Sequence, residues 1–351
     1  MRYTTFGHRT GLRVSEYALG TGNFGTGWGA GADEDEARRM FDRFAEAGGN
    51  FIDSSDNYQI GESEKILSKF IAGDRDHFVL SSKFSVGAAP QPDISKTGNS
   101  RKNMIRSVNE SLKRLDTDYI DLYWVHFPDE LTPTEELLRG IDDLVTSGKI
   151  LHVGLSNFPA WRVARAVTLA ELKNWAPIAG IQVEYSLVER TADRELIPMA
   201  QSLGLATTMW SPLGGGLLTG KYRSGTAGRL NDLKVLIHTE SNDQKTAIVD
   251  TVLAIADETG ATPAQVSVAW IRERSARSAT PLIPIIGPRN TSQLDGYLGS
   301  LPVELTDEQY SRLTEVSVVP LGVPHEANRA HRDHLRGGDA SLIIDTPAPV
   351  A

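Results

Sequence analysis

The sequence predicts an α/β fold, a (β/α)8 TIM barrel with an N-terminal β-hairpin and long loops at its C-terminal mouth. Three observations predict it. Eight short apolar or β-branched runs alternate strictly with amphipathic helical patterns, and such alternation means parallel strands joined by helical crossovers. No linker or composition break divides the 351 residues, which favours one closed barrel over an open sheet split into two domains. Segments 85–100, 213–242 and the tail after Val319 are too long to be simple connections; long loops after barrel strands lie over the C-terminal mouth, where a site belongs.

In order along the chain, residues 3–6 and 12–15 alternate around Gly7-His8-Arg9-Thr10-Gly11, a pattern that suits a hairpin with a glycine-rich turn. Strands are expected at 17–20, 50–53, 78–83, 119–125, 150–155, 178–183, 206–210 and 282–287. Helices are expected at 34–47, 62–72, 102–115, 135–146, 160–172, 194–203, 243–259 and 292–299. One-sided helices are clearest where Ala37, Met40, Phe41, Phe44 and Ala45, and again Leu137, Leu138, Ile141, Leu144 and Val145, follow helical spacing. The expected division is a hairpin over 1–16, the barrel over 17–300, a helix and loop over the mouth in 301–335, and a flexible tail in 336–351 rich in Gly and Pro.

Composition removes whole classes of chemistry. Lys and Arg number 36 against 45 Asp and Glu, a net charge of −9, so neither nucleic acid nor an anionic membrane is an expected partner. Cysteine is absent, which excludes disulfides, thiolate nucleophiles, zinc–thiolate sites and iron–sulfur clusters. No apolar run approaches the roughly 18 residues of a membrane span, and the start shows no secretory pattern, so a cytoplasmic protein is expected.

Two motifs are formal matches only. Gly20-Thr21-Gly22-Asn23-Phe24-Gly25 fits G-x-G-x-x-G, yet Thr26-Gly27-Trp28-Gly29 continues as loop where a dinucleotide fold needs a helix to open. Gly215-Gly216-Leu217-Leu218-Thr219-Gly220-Lys221 resembles a P-loop but continues with Tyr222 instead of the metal-binding hydroxyl. His325, His331 and His334 lie in an Arg- and Pro-rich tail and read as a solvated surface, so no metal site is expected.

The informative residues end the strands: Asp53, with Tyr58 five residues later, Lys83, His126, Ser156-Asn157, Gln182 and Glu184, Trp210, and Gly287-Pro288-Arg289. Alone, each has an ordinary structural explanation. On consecutive barrel strands they converge on one mouth, and converging titratable groups perturb one another as a proton-transfer site requires. A phenol of pKa ~10 is a poor acid at neutral pH unless a cation stabilises its anion. Lys83 would supply that cation, and Asp53 is placed to keep the lysine charged in a dry pocket. His126 then orients a carbonyl oxygen while Tyr58 protonates it. Ser156, Asn157 and Gln182 are donor–acceptor groups suited to gripping a carboxamide, and Trp210 offers a flat face for a ring. Asn23, Phe24, Trp28, Phe84 and Phe127 are candidates for lining a substrate pocket.

At these strand ends the chain resembles the aldo-keto reductases, along about residues 1–320. The matching strings are Asn50-Phe51-Ile52-Asp53-Ser54-Ser55-Asp56-Asn57-Tyr58, Ser81-Ser82-Lys83, Tyr123-Trp124-Val125-His126, Gly154-Leu155-Ser156-Asn157-Phe158, Ile181-Gln182-Val183-Glu184-Tyr185-Ser186 and the stretch from Trp210 to Tyr222. The resemblance implies a catalytic tetrad of Asp53, Tyr58, Lys83 and His126. It also implies NADPH/NADP+ bound across the mouth and a reversible reduction of a small-molecule aldehyde or ketone to an alcohol. By the same resemblance Gly20, Thr21 and Asp53 lie near the cofactor, and Ser156, Asn157 and Gln182 hold its carboxamide. Trp210 stacks on the nicotinamide, Ser211, Leu213, Gly215 and Lys221 wrap the pyrophosphate, and Gly287, Arg289 and Gln293 take the adenosine phosphate. Relatives commonly bind adenine through an acidic residue and an Asn shortly after that Gln; here Gly296-Tyr297 stand instead, which leaves stacking on Tyr297 or Arg289. The same long-loop branch is also similar to the cytoplasmic β subunits of potassium channels, so a cofactor-binding partner protein is the alternative to an enzyme.

Overall fold

The computed structural model describes residues 1–224 and 238–344. A two-stranded antiparallel hairpin of β1 (Tyr3–Thr5) and β2 (Arg13–Ser15) comes first. The strands β3 (Ala18–Gly20), β4 (Phe51–Asp53), β5 (Val79–Phe84), β6 (Ile120–Val125), β7 (Ile150–Ser156), β8 (Ile178–Glu184), β9 (Ala206–Trp210) and β10 (Leu282–Ile286) then close into a barrel, β10 pairing with β3. Every pairing in it is parallel. This is the (β/α)8 barrel with an N-terminal hairpin that the sequence predicts.

Alternation along each strand decides what the barrel holds, because neighbouring residues point to opposite faces. One set, Ala18, Phe51, Val79, Leu122, Trp124, Ala206, Ile283 and Ile285, closes into a buried apolar cluster joined by Phe6 from the hairpin turn. The Phe6 ring meets Phe51 and Trp124 edge-on at 5.8 and 6.2 Å. Gly154 is required beside them, since a Cβ there would lie 2.2 Å from the Trp124 ring. Further along the same faces stand Asp53 and His126, two residues beyond Phe51 and Trp124, and Lys83, four beyond Val79, so the period that fills the barrel floor also aims the polar groups at its mouth. The opposite faces, with Leu19, Ile52, Leu80, Phe84, Tyr123 and Val125, pack under the apolar stripes of the surrounding helices.

Helix ends follow the expected chemistry. Asp33, Ser100, Asn242 and Asn290 each cap a helix by accepting a backbone N–H from the first turn. The helix expected from residue 194 begins instead at Leu196, after a short 3-10 turn over Thr191–Asp193. A helix over Pro263–Ala276 was not expected from the sequence. It carries six consecutive buried residues, Val266 to Ile271, and so shows no one-sided stripe. The 301–335 segment holds two helices. Asp307–Val316 packs on the outside of the barrel against the helices Asp243–Thr259 and Pro263–Ala276, and His325–Leu335 has no buried residue. Of the long segments, residues 225–237 and the end of the tail, 345–351, lie outside the described residues. No helix among the described residues is long and apolar enough to cross a membrane.

Candidate active site

Lys83 lies at the centre of the mouth with no exposed surface. Its ammonium donates to Asp53 Oδ2 at 2.6 Å, to the Ser54 carbonyl at 2.7 Å and to Tyr58 Oη at 3.1 Å. An ammonium has three protons, and all three are matched. Burial works to discharge the lysine, but the Asp53 carboxylate and the Tyr58 oxygen outweigh it and hold its pKa above the ordinary value. Asp53 is fixed in turn: its Oδ1 accepts from Ser81 Oγ at 3.1 Å and from Gln182 Nε2 at 3.0 Å.

Tyr58 reaches the lysine because the chain turns sharply after β4. Gln59 and Ile60 both adopt left-handed backbone, with φ of 51° and 59°, conformations that non-glycine residues adopt only under constraint. Gln59 supplies part of that constraint, donating to the carbonyls of Gly22 and Ala30 and accepting from Trp28 N–H. Glu62 accepts from the backbone of Thr26 and Gly27. These two side chains strap the glycine-rich loop after β3 to the segment bearing Tyr58; the sequence reading missed both, and no motif marked them. In its contact with Lys83 the Tyr58 oxygen is the acceptor, so the ammonium lies against the atom whose charge would change on loss of the phenolic proton. His126 lies near, its ring 6.2 Å from that of Tyr58 and edge-on. Burial, with Lys83 nearby, pushes its pKa well below the ordinary value, so it is neutral at neutral pH.

Beside this cluster Ser156, Asn157, Gln182 and Trp210 come together as expected. Asn157 sits in left-handed backbone at φ 61°; its Nδ2 donates to the His126 carbonyl and to Ser156 Oγ, and its Oδ1 accepts from Trp210 Nε1 at 3.3 Å. After β9, Ser211 Oγ accepts the Gly215 N–H, and Gly214, Gly215 and Gly216 all take positive φ. Lys221 folds beneath Gly216, where a Cβ would meet its Cε at 3.0 Å. Beyond β10, Gln293 Oε1 accepts the Arg289 N–H at 3.0 Å, at the start of the helix Thr291–Leu298.

Several expected pocket residues are elsewhere. Phe24 is fully buried against Phe70, and Phe84 is fully buried and stacked on Tyr123; both belong to the layer between strands and helices. Phe84 follows Lys83, so strand alternation turns it away from the mouth. Asn23 donates its amide to the carbonyls of Gly287 and Pro288 and braces the loop after β3 on the end of β10. The Thr21 hydroxyl donates to the Asp53 carbonyl and accepts from Ser63, its N–H donates to the same carbonyl and its own carbonyl accepts from Phe24 N–H, so its polar groups are engaged within the protein. A Cβ on Gly20 would meet Ile285 at 2.8 Å, so that glycine serves strand packing. Tyr297 packs partly buried against the core. Trp28 and Phe127 are partly exposed, Trp28 edge-on to Tyr58 and Phe127 stacked on His126.

A closed barrel with a lysine-backed phenol and a neutral imidazole at its C-terminal mouth defines a class, the barrel enzymes equipped to move a proton at a substrate oxygen. Residues 17–318 match the aldo/keto reductase family, and the chain belongs to that family. It is 34% identical to the uncharacterized oxidoreductase YrpG of Bacillus subtilis, covering 93% of this chain and 99% of that one. It is 33% identical to norsolorinic acid reductase stcV of Emericella nidulans, over 90% of this chain and 81% of that one. With the aryl-alcohol dehydrogenase [NADP(+)] of Phanerodontia chrysosporium it shares 31% identity, over 90% of this chain and 86% of the relative.

Proposed function

We propose that the protein is an NADPH-dependent oxidoreductase that interconverts an aryl aldehyde or ketone and its alcohol. The observation that carries this reading is the matched Lys83 ammonium, which leaves Tyr58 with a proton to give and a cation beside the oxygen that gives it. The groups beside it fit a nicotinamide carboxamide. Once the contacts within the protein are counted, Ser156 Oγ retains its proton as a donor and Gln182 Oε1 retains its lone pairs as an acceptor, which is the complement a carboxamide needs. Bound there, NADPH supplies the hydride for the carbonyl carbon.

The chain's own residues do the rest. Tyr58 donates its proton to the carbonyl oxygen as negative charge develops, and Lys83 stabilises the phenolate left behind. Asp53 keeps Lys83 charged through the cycle, and His126 stands beside the reacting oxygen. Trp28 and Phe127 offer partly exposed rings at the mouth, and the names of the aryl-alcohol dehydrogenase and norsolorinic acid reductase relatives support an aromatic substrate.

The test is a panel of aryl and aliphatic carbonyls followed by NADPH absorbance, repeated with alcohols and NADP+, on wild type and Tyr58→Phe. The variant keeps the ring and loses the proton donor, so turnover is expected to fall by at least about 10²–10⁴-fold with little change in NADPH affinity. A tenth of wild-type turnover or more in the variant removes Tyr58 as the acid. A wild type that binds NADPH and reduces nothing favours the partner-protein alternative.

A further inference from the structure

A neutral imidazole carries one proton on one of two nitrogens, and the hydrogen bond made by one nitrogen decides what the other can do. Among the described residues the His126 ring makes a single hydrogen-bond contact, Nδ1 to Ser55 Oγ at 3.3 Å. Ser55 is fully buried, and its hydroxyl has one proton. That proton lies toward Asn57 Oδ1, 2.6 Å away, because an amide oxygen has none to give. Ser55 Oγ therefore faces the ring as an acceptor, and the ring must meet it with an Nδ1–H. The backbone that carries the ring is held as well: Asn157 Nδ2 donates to the His126 carbonyl at 3.0 Å and Asn99 Nδ2 to the Phe127 carbonyl at 2.8 Å.

We propose that Ser55, held by Asn57, sets the tautomer of His126. The Nδ1–H form it selects leaves Nε2 as a hydrogen-bond acceptor for an alcohol hydroxyl, with no donor for a carbonyl oxygen. This rests on the reading that places His126 beside the reacting oxygen, and it replaces the expectation that His126 orients a carbonyl. Tyr58 is then the one side chain of the pair that donates to the carbonyl oxygen. His126 favours the alcohol complex, accepting the hydroxyl proton as a hydrogen bond. Ser55 and Asn57 are positioning residues, acting on the substrate only through the ring.

The experiment is two-bond proton–nitrogen spectroscopy on the full chain labelled with 15N-histidine, with His126→Asn identifying the signals of this ring. The wild type is expected to show His126 neutral, with Nδ1 protonated and Nε2 bare. In Asn57→Ala the Ser55 proton is released toward Nδ1, and the ring is expected to change to Nε2–H. Ser55→Ala, which leaves Nδ1 without an acceptor, is expected to do the same, whereas Asn57→Asp keeps an acceptor facing Ser55 and retains the wild-type pattern. In Asn57→Ala the KM for the alcohol is expected to rise and that for the carbonyl to fall, each by about 2–10-fold, as for one hydrogen bond gained or lost. A wild-type ring already in the Nε2–H form, or one unchanged in both Ala variants, overturns the proposal. The nitrogen shifts are read without turnover, so a failure of the carbonyl panel would overturn the proposed reaction and leave the tautomer assignment standing.

Discussion

Lys83 and Asp53 act as one unit, since neither has a reason to be buried without the other. An unpaired ammonium in the barrel interior would discharge, and an unpaired carboxylate would take up a proton. Lys83→Met and Asp53→Asn are each expected to depress turnover, and the double variant to be little worse than the poorer single one. Measuring kcat for the four proteins closes the cycle, and strict additivity would separate the two roles. This pair, Tyr58 and His126 were legible in the sequence because each ends or follows a strand, and barrel geometry gathers strand ends. Phe84 was legible too, by its alternation with Lys83, but its aromatic character drew it into the pocket list. Gln59 and Glu62 were not legible, because their roles depend on a left-handed turn at Gln59 and Ile60 that no residue pattern announced, nor were Ser55 and Asn57, because the link they make to His126 joins segments 71 residues apart.

Between elements, what the sequence showed depended on one-sidedness. Helices with a dry and a wet face emerged within a residue or two of their observed ends, whereas Pro263–Ala276, buried through six successive residues, had no period to find. Its boundary was nonetheless written locally. The Thr262 hydroxyl accepts from Gln265 N, the Gln265 side chain accepts from Thr262 N, and Pro263 opens the helix. Thr262→Ala should cost about 0.5–2 kcal/mol, read as a lowered urea midpoint at unchanged slope. At the other side of β10, Arg289 precedes the helix Thr291–Leu298, whose first N–H and Thr291 hydroxyl are already taken by Glu36 Oε1. With that helix end partly occupied by a carboxylate, a ribose 2′-phosphate would depend on the Arg289 guanidinium. Arg289→Ala is then expected to weaken NADPH by roughly 1.5–3 kcal/mol, on the order of 10–100-fold, and to leave NADH nearly unchanged. Titrating both cofactors by tryptophan emission checks this: an equal loss for both would move Arg289 to the shared part of the cofactor.

For the molecule as a whole, the cost of building the site lies just behind it, in a buried pair of carboxyl groups. Glu64 is fully buried and paired, accepting from Arg114 Nε at 2.7 Å and from Ser82 Oγ at 2.5 Å. Asp56, on the segment between Asp53 and Tyr58, is equally dry, and its Oδ1 has no partner among the described residues. Burial, reinforced by Glu64, raises its carboxyl to about 7. A carboxyl held above its unfolded value binds its proton more tightly in the folded state. Its stabilising contribution is full below about pH 4 and is lost as the pH rises through about 7. The full displacement corresponds to something on the order of 4 kcal/mol. Asp56→Asn cannot ionise, so it should match wild type at about pH 3.5, below the unfolded carboxyl's titration, and exceed it at about pH 8, by up to that amount. Urea midpoints of both proteins at the two pH values decide the matter. A gap that stays constant with pH would mean that the variant acts through packing, and that Asp56 is already charged across the range.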